Sequence, residues 1–446
     1  MGFHQATGLR SVRIGIAVLS AAAIATVAPT GTVHAAPALP ANFLWGVASS
    51  GFQSEGSPGG RPASNWTVPK KDVTPIGRSI DFRHRYRSDI ALAQGLGAKV
   101  YRVGVEWARV QPSPTRFDEG EWAYYEDMVG AIVAAGMRPM VTIDHWVYPL
   151  WMMRKGGWAN PNSARLWMNY ARRVVDRLSK FNPLWVTFNE PVMNTLQQVQ
   201  RGEISPAALP LMRDRMVDVH ARIYRYIHRV QPGAKVTSNS AYLPAAEPLI
   251  DAELTDQFMR HADFVGVDNY YSFSLGQTRG ALAGAQRLLS GSLQEAMPEL
   301  PIDADGIYYV LRYNARRYPG KPIYIVETGM PTRDGKPRTD GYRRGDHLAD
   351  VVYWVQRARA DGIPVFGLNY WSLTDNYEWG SYTPRFGLYT VNALRDGSLR
   401  RIPTDAVPVY RRIIARGGVG PTYRPTRPAV SCSVVDPLAS CIQPVR

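Results

Sequence analysis

Apolar residues along this chain fall into two alternating rhythms. Short β-rich runs, Phe43–Ala48, Val100–Val105, Pro139–Thr142, Trp185–Phe188, Val236–Ser238, Phe264–Val267, Ile323–Val326 and Val365–Tyr370, most of them continuously apolar, have the length and content of strands buried on both faces. Between them Asp81–Gln94, Glu121–Ala135, Pro161–Phe181, Arg213–Arg229, Ile307–Arg317 and Gly341–Ala360 repeat apolar positions at helical spacing, and Asp251–His261 does so more weakly. Asn160 stands where a cap would, with Pro161 at the first helical position. Eight strands in βα alternation predict an α/β chain with one closed (β/α)8 TIM barrel over residues 36–420. A doubly wound open sheet is the alternative, but no glycine-rich phosphate loop follows the first strand. Residues 421–446, rich in Pro and Arg, read as a short extended tail.

The amino terminus changes the picture of where the chain works. Arg10 and Arg13 precede an apolar run, Ile14 to Ala28, broken only by Ser20 and Thr26, and Val33-His34-Ala35 places small residues for cleavage after Ala35. Residues 1–35 are therefore expected to be a signal peptide, since the run falls short of the roughly 20 residues a spanning helix needs. The expectation is a secreted or extracytoplasmic protein without stable membrane insertion. Cys432 and Cys441 are then expected to form a small disulfide loop in an oxidising compartment. No spaced His/Cys cluster marks a metal site, and none is expected. The formal charge of +15 admits association with anionic cell-wall material. The arginines are scattered rather than massed, which favours general solubility, and nothing resembles a nucleic-acid-binding module.

In a barrel of this kind chemistry sits where strands end and loops begin, on the carboxyl face. Polar residues interrupting strand ends are thus the candidates. The fourth strand ends WVTFNEP, setting Asn189 and Glu190 directly after Phe188, and the seventh reads PIYIVETG, with Glu327 after an apolar run. Two carboxylates at the mouths of two strands can face one cavity. Glycoside hydrolysis needs such a pair, one acid to protonate the departing oxygen and one carboxylate to meet the cationic carbon.

With these residues in view, the chain resembles glycoside hydrolase family 1, the family of β-glucosidases and β-galactosidases. FLWGVASSGFQSEG (43–56), HRYRSDIALAQGLGAKVYRVGVEWARVQP (84–112), VTIDHWVYP (141–149), TFNEP (187–191), IVETG (325–329) and WSLTDNYEWGSYTPRFGL (371–388) follow the family's motifs in order, over about residues 40–415. The resemblance implies Glu190 as general acid and later base, Glu327 as nucleophile, and Asn189 as the holder of the sugar's 2-hydroxyl. It implies Arg102 as the arginine that keeps the nucleophile ionised, and Tyr270 as the tyrosine that hydrogen-bonds it. Sugar recognition would fall to Gln53, His145, Trp146, Trp371, Glu378 and Trp379, while Trp45, Trp107, Trp158 and Glu106 read as structural.

The reaction so implied is a retaining double displacement on a terminal β-D-glucoside, galactoside or fucoside, with no metal or organic cofactor. Family members acting on 6-phosphorylated sugars carry a small residue at the place of Glu378 and a nearby lysine, so an unphosphorylated glycone is expected. An endo-acting hydrolase or transglycosidase on the same barrel is one alternative, and a carbohydrate-binding protein without turnover is another. Three positions depart from the family pattern: Thr328 replaces an asparagine, Val147 an aspartate, and Asp268 is an extra residue before Asn-Tyr-Tyr, which leaves Tyr270 against Tyr271 less fixed. The interval from Glu190 to Glu327 is short for the family, and a more open cleft is expected from it.

Overall fold

Each of the eight apolar runs forms a strand: β1 Leu44–Ala48, β2 Val100–Gly104, β3 Arg138–Asp144, β4 Leu184–Asn189, β5 Lys235–Ala241, β6 Val265–Asn269, β7 Ile323–Thr328 and β8 Val365–Trp371. All pair in parallel, each with the next and β8 with β1, so the sheet closes into a barrel. The computed structural model of the chain describes residues 37–71, 73–241, 251–272, 293–430, 432–433 and 435–445. The expected signal peptide lies outside the described residues. Among the described residues no helix is long and apolar enough to cross a membrane.

Several strands run past the apolar patch that announced them. β3, β4, β5 and β7 gain polar residues at their carboxyl ends, because the backbone ladder continues while the side chains turn toward the barrel mouth. The barrel interior is filled by Val100, Met140, Leu184, Val186, Phe264, Tyr324 and Val326. Tyr324 crosses this interior, donating its hydroxyl to Asn369 Oδ1 at 2.8 Å. A Cβ on Gly367 would lie 2.1 Å from the Tyr324 ring, so only glycine lets the ring pass.

An outer ring of helices covers the strands: α1 Phe82–Leu96, α2 Glu119–Ala134, α3 Ser163–Leu178, α4 Pro191–Gln200, α5 Leu209–Val230, α6 Asp256–Met259, α7 Gly306–Arg317, α8 Arg344–Ala360 and α9 Ala406–Arg416. Two of these, α4 and α9, were not anticipated from the pattern. The helix expected from Pro161 starts at Ser163 instead. Asn160 Oδ1 accepts from the Asn162 backbone N–H at 2.7 Å and its carbonyl accepts from Ser163 N at 3.0 Å, so Asn160 closes a turn before the helix rather than capping it. The weak Asp251–His261 stretch is a π turn, Asp251–Thr255, followed by α6. The tail is not simply extended. It carries a short helix, Pro437–Ile442, and a Cys432–Cys441 disulfide, and it docks on α7 through Arg312 to Asp436 at 3.3 Å and Val445 N to Tyr309 Oη at 3.0 Å.

A buried ion pair helps hold the ring closed. Arg401, in the segment after β8, grips Asp89 of α1 with two bonds of 2.8 Å and also donates to the Ile80 carbonyl at 2.8 Å. Asp89 is wholly buried, so its loss leaves the guanidinium without its counter-charge. Asp89→Ala is expected to lower stability by about 3–5 kcal/mol in urea unfolding, a cost set by the orphaned charge; an unchanged midpoint would show that the clasp carries no weight.

Candidate active site

The site is assembled from strand ends that sit far apart in the chain. Arg102 of β2 is fully buried and divides its three nitrogens. Nη1 pairs with Glu327 Oε1, Nη2 donates to Asn189 Oδ1 at 2.5 Å, and Nε donates to Thr142 Oγ1 at 2.9 Å. The second Glu327 oxygen accepts from Tyr270 Oη at 2.6 Å, which settles Tyr270 over Tyr271 as the tyrosine on this carboxylate. The β6–β7 register shifts at this point, pairing Val267 with Ile325 and Asp268 with Glu327, so the residue left unpaired is Val326 of β7 and Asp268 keeps its place in the β6 ladder.

Glu190 leaves β4 in the left-handed region, with φ 39°, and its N–H donates to the Asn239 carbonyl at 3.1 Å. Pro191 then starts α4, a position where its missing N–H costs nothing. A non-glycine residue with positive φ is uncommon and is held only when its surroundings fix it. Here the turn aims Glu190 at the barrel axis. One carboxylate oxygen each from Glu190, Asp268 and Glu327 lie within 4.8 Å of one another.

Electrostatics separate these acids. Burial first, then the Glu327 carboxylate, push Glu190 well above the ordinary carboxylate range; Arg102 pulls the other way and Glu378 adds to the rise. Burial also pushes Glu378 to about 8, against the bond from Trp371 and with a further rise from Glu327. His145 is held well below its ordinary 6.5 by burial and by Arg102, so its imidazole is neutral. Burial and the adjacent Glu327 raise Tyr270, which keeps its proton for donation.

The remaining expected residues line the same mouth. Gln53, on the helical turn after β1, donates from Nε2 to Glu378 Oε2 at 3.1 Å and accepts from Ser50 Oγ at 2.7 Å. Trp371, the last residue of β8, donates its indole N–H to Glu378 Oε1 at 3.3 Å. His145 lies with its ring centre 6.0 Å from Trp371 and 5.5 Å from Trp379, and its Nδ1 has no partner among the described residues. Trp146 is stacked on Trp379 at 4.4 Å and spends its N–H on the Asn189 carbonyl at 2.9 Å, so its polar atom orients the backbone beside Glu190. Phe52, Trp66, Tyr377 and Tyr382 complete this aromatic group, with Val147 packed into it. Thr328 closes β7, buried.

Three contributors are not among the candidates that the sequence offers. Asn239, at the end of β5, donates from Nδ2 to Asn189 Oδ1 at 2.8 Å and to Asp268 Oδ2. Thr142 takes the third nitrogen of Arg102. Both are polar residues at strand ends: Thr142 ends the run Pro139–Thr142, and Asn239 directly follows Val236–Ser238, as Asn189 follows Phe188. Asp144 is a third. It accepts from Trp167 Nε1 at 2.8 Å and from the Trp146 N–H at 3.1 Å, fixing the turn that presents His145 and Trp146.

Comparison with known proteins gives an independent line. The profile described as Glycosyl hydrolase family 1 matches residues 35–244 and 224–419. Beta-glucosidase A of Thermotoga maritima is 27% identical over 450 residues, covering 85% of this chain and 98% of its own. A beta-galactosidase of Pyrococcus woesei is 24% identical over 515 residues, with 85% and 98% covered. Among solved structures, a family 1 β-glucosidase from Thermotoga maritima superposes with a TM-score of 0.70 at 23% identity, over 86% of this chain and 99% of its own, a likeness of fold.

Glu378 offers a test of the site's electrostatics. A group raised from 4.5 to about 8 on folding stabilises the fold fully below 4.5, and that contribution is lost as pH rises through about 8. Glu378→Gln, which mimics the neutral acid, is expected to match the wild type in thermal midpoint near pH 4.5. It should then gain on the order of 1 kcal/mol per pH unit until the difference levels off above about 8. A difference that stays constant across that range would contradict the assignment.

Proposed function

The chain belongs to glycosyl hydrolase family 1, and on that premise we propose that it is a secreted β-glycosidase that removes terminal, unphosphorylated β-D-glycosyl units with retention of configuration. The observation that carries this reading is the approach of the Glu190 and Glu327 carboxylates to within 4.8 Å in two different settings. Retaining glycosidases hold their carboxyl groups about 5–5.5 Å apart, and inverting ones leave about 6.5–9.5 Å for a water.

The settings assign the roles. Glu327 receives Arg102 and the Tyr270 hydroxyl, both donors to an anion, and is the nucleophile. Among the described residues the Glu190 carboxyl has a single long bond, from Asn189 Nδ2 at 3.5 Å, and it holds its proton, so it is the acid. In the first step Glu327 bonds to the anomeric carbon, the bond to the leaving oxygen breaks, and that oxygen takes the Glu190 proton. In the second step a water gives its proton to Glu190, its oxygen bonds to the anomeric carbon, and Glu327 is released.

Recognition follows from the same contacts. Arg102 and Asn239 both donate to Asn189 Oδ1, which turns its amide N–H₂ toward the acids, where a sugar 2-hydroxyl would lie. Gln53 and Glu378 form a linked pair for hydroxyls, and Trp371 offers a flat face to the ring. Glu378 disfavours a phosphorylated glycone because it fills this corner with a carboxyl bonded to Gln53 and Trp371, neither of which is a cation that could hold phosphate. Glucose, galactose and fucose all present hydroxyls that this pair can hold. Export rests on the basic, apolar and small-residue order of residues 1–35.

Protein recovered from the culture medium is expected to begin at Ala36 and to release the β-anomer first, followed by NMR during hydrolysis of an aryl β-glucoside. Activity should fall as pH rises through the elevated Glu190 value. Glu190→Gln should lose about 10²–10⁴-fold on poor leaving groups and far less on activated ones, while Glu327→Gln should lose both. First appearance of the α-anomer, or preference for 6-phosphoglycosides, would overturn the reading.

A further inference from the structure

Asp268 is a third acid in the mouth, and the double displacement above leaves it without a task. It is 1% exposed, and the β6–β7 register shift sets it opposite Glu327. No described cation pairs with it: every nitrogen of Arg102 is committed to Thr142, Glu327 or Asn189. Its Oδ2 accepts from Asn239 Nδ2, and its Oδ1 has no partner among the described residues. An ionised carboxylate accepts only, on two oxygens with about four lone-pair sites, so a single donor leaves it poorly satisfied. The groups that face it are Arg102 from β2, Glu190 after β4, Asn239 of β5, Tyr270 beyond β6 and Glu327 of β7, and Glu378 after β8 acts on Glu190.

A buried charge without a partner is expelled by taking up a proton. We propose that Asp268 works as a neutral carboxylic acid, a positioning residue whose O–H is a hydrogen-bond donor beside the Glu190–Glu327 pair. This rests on the roles assigned to those two glutamates. The proton converts an acceptor into a donor, and the acceptors at hand are the Glu327 carboxylate, the carbonyl oxygen of the Glu190 carboxyl and a sugar hydroxyl held between them. Neutral Asp268 also spares the mouth another negative charge, which Arg102 could not balance. Burial, with Glu327 and Glu190 next, pushes the group well above the ordinary aspartate range, in line with the geometry.

The test uses the full chain with Asp268→Asn and Asp268→Leu, read by kcat/KM against pH and by infrared difference spectra. Asn keeps the shape and supplies an N–H donor, whereas Leu supplies none. Asp268→Leu is expected to lose about 30-fold in kcat/KM, the cost of one hydrogen bond to a charged group, and Asp268→Asn to recover at least about tenfold of that. The wild-type-minus-Asn spectrum at pH 7 should contain a protonated carboxylic acid carbonyl band, and the alkaline limb of Asp268→Asn should not move to lower pH. If Asn is as damaging as Leu, its alkaline limb falls by about a unit or more, and the acid band is missing, Asp268 acts as an anion and the proposal is wrong. It is equally wrong if both variants match the wild type. Should Asp268→Leu fail to fold, the Asn variant and the infrared band decide. Full turnover by Glu190→Gln or Glu327→Gln would instead sink the parent assignment, and the infrared band reports on Asp268 either way.

Discussion

A single buried guanidinium orders the mouth of this barrel. Arg102 has no exposure to solvent, so each of its nitrogens must find a partner within the protein. Its planar fork spans from β2 to Glu327 on β7 and Asn189 on β4, with Thr142 of β3 accepting from the Nε–H. Because the fork is rigid, fixing it fixes the relative placement of three strand ends. Asn189 is then locked by two donors on one oxygen, Asn239 follows as the second donor, and Asp268 as the acceptor beyond it.

The charge balance follows from the same cation. Glu190, Asp268, Glu327 and Glu378 gather around the mouth, and within it Arg102 forms its ion pair with Glu327. The other three acids are pushed up by burial and by their neighbours, so protons supply the neutrality that further cations would otherwise give. Two carboxyl groups of the same chemistry thereby acquire opposite tasks, one presented with donors and the other keeping its hydrogen. The backbone carries part of the cost: Glu190, Trp146 and Trp379 all adopt positive φ around this one opening.

Much of this was legible in the chain. Continuous apolar runs marked most of the eight strands, because strands buried on both faces leave little room for polar alternation. Glu190 and Glu327 stood out as carboxylates directly after such runs, and the ordered motifs supplied Arg102, Tyr270 and the sugar-facing residues. What was missed has physical causes. α4 places Val192, Met193, Leu196 and Val199 at helical spacing but is only ten residues long, too short for the pattern to stand out, and α9 lies in a stretch dense with arginine. Asn160 reads as a cap in sequence but is taken by a tight turn. Asn239 and Thr142 matter only through partners some 30 to 50 residues away or more, a relation that local pattern does not carry. Asp268 was visible as an extra residue, yet its place opposite Glu327 depends on a register shift.

The central claim is that Glu327 forms a covalent bond to the sugar. The most direct measurement is peptide mapping by mass spectrometry after incubation with an activated 2-deoxy-2-fluoro-β-glucoside, whose fluorine slows release of the glycosyl-enzyme. The account predicts one sugar per protein chain, attached to the peptide that contains Glu327 and lost when an acceptor alcohol is added. An adduct on another residue, or steady turnover of the probe with inversion and no adduct, would contradict it.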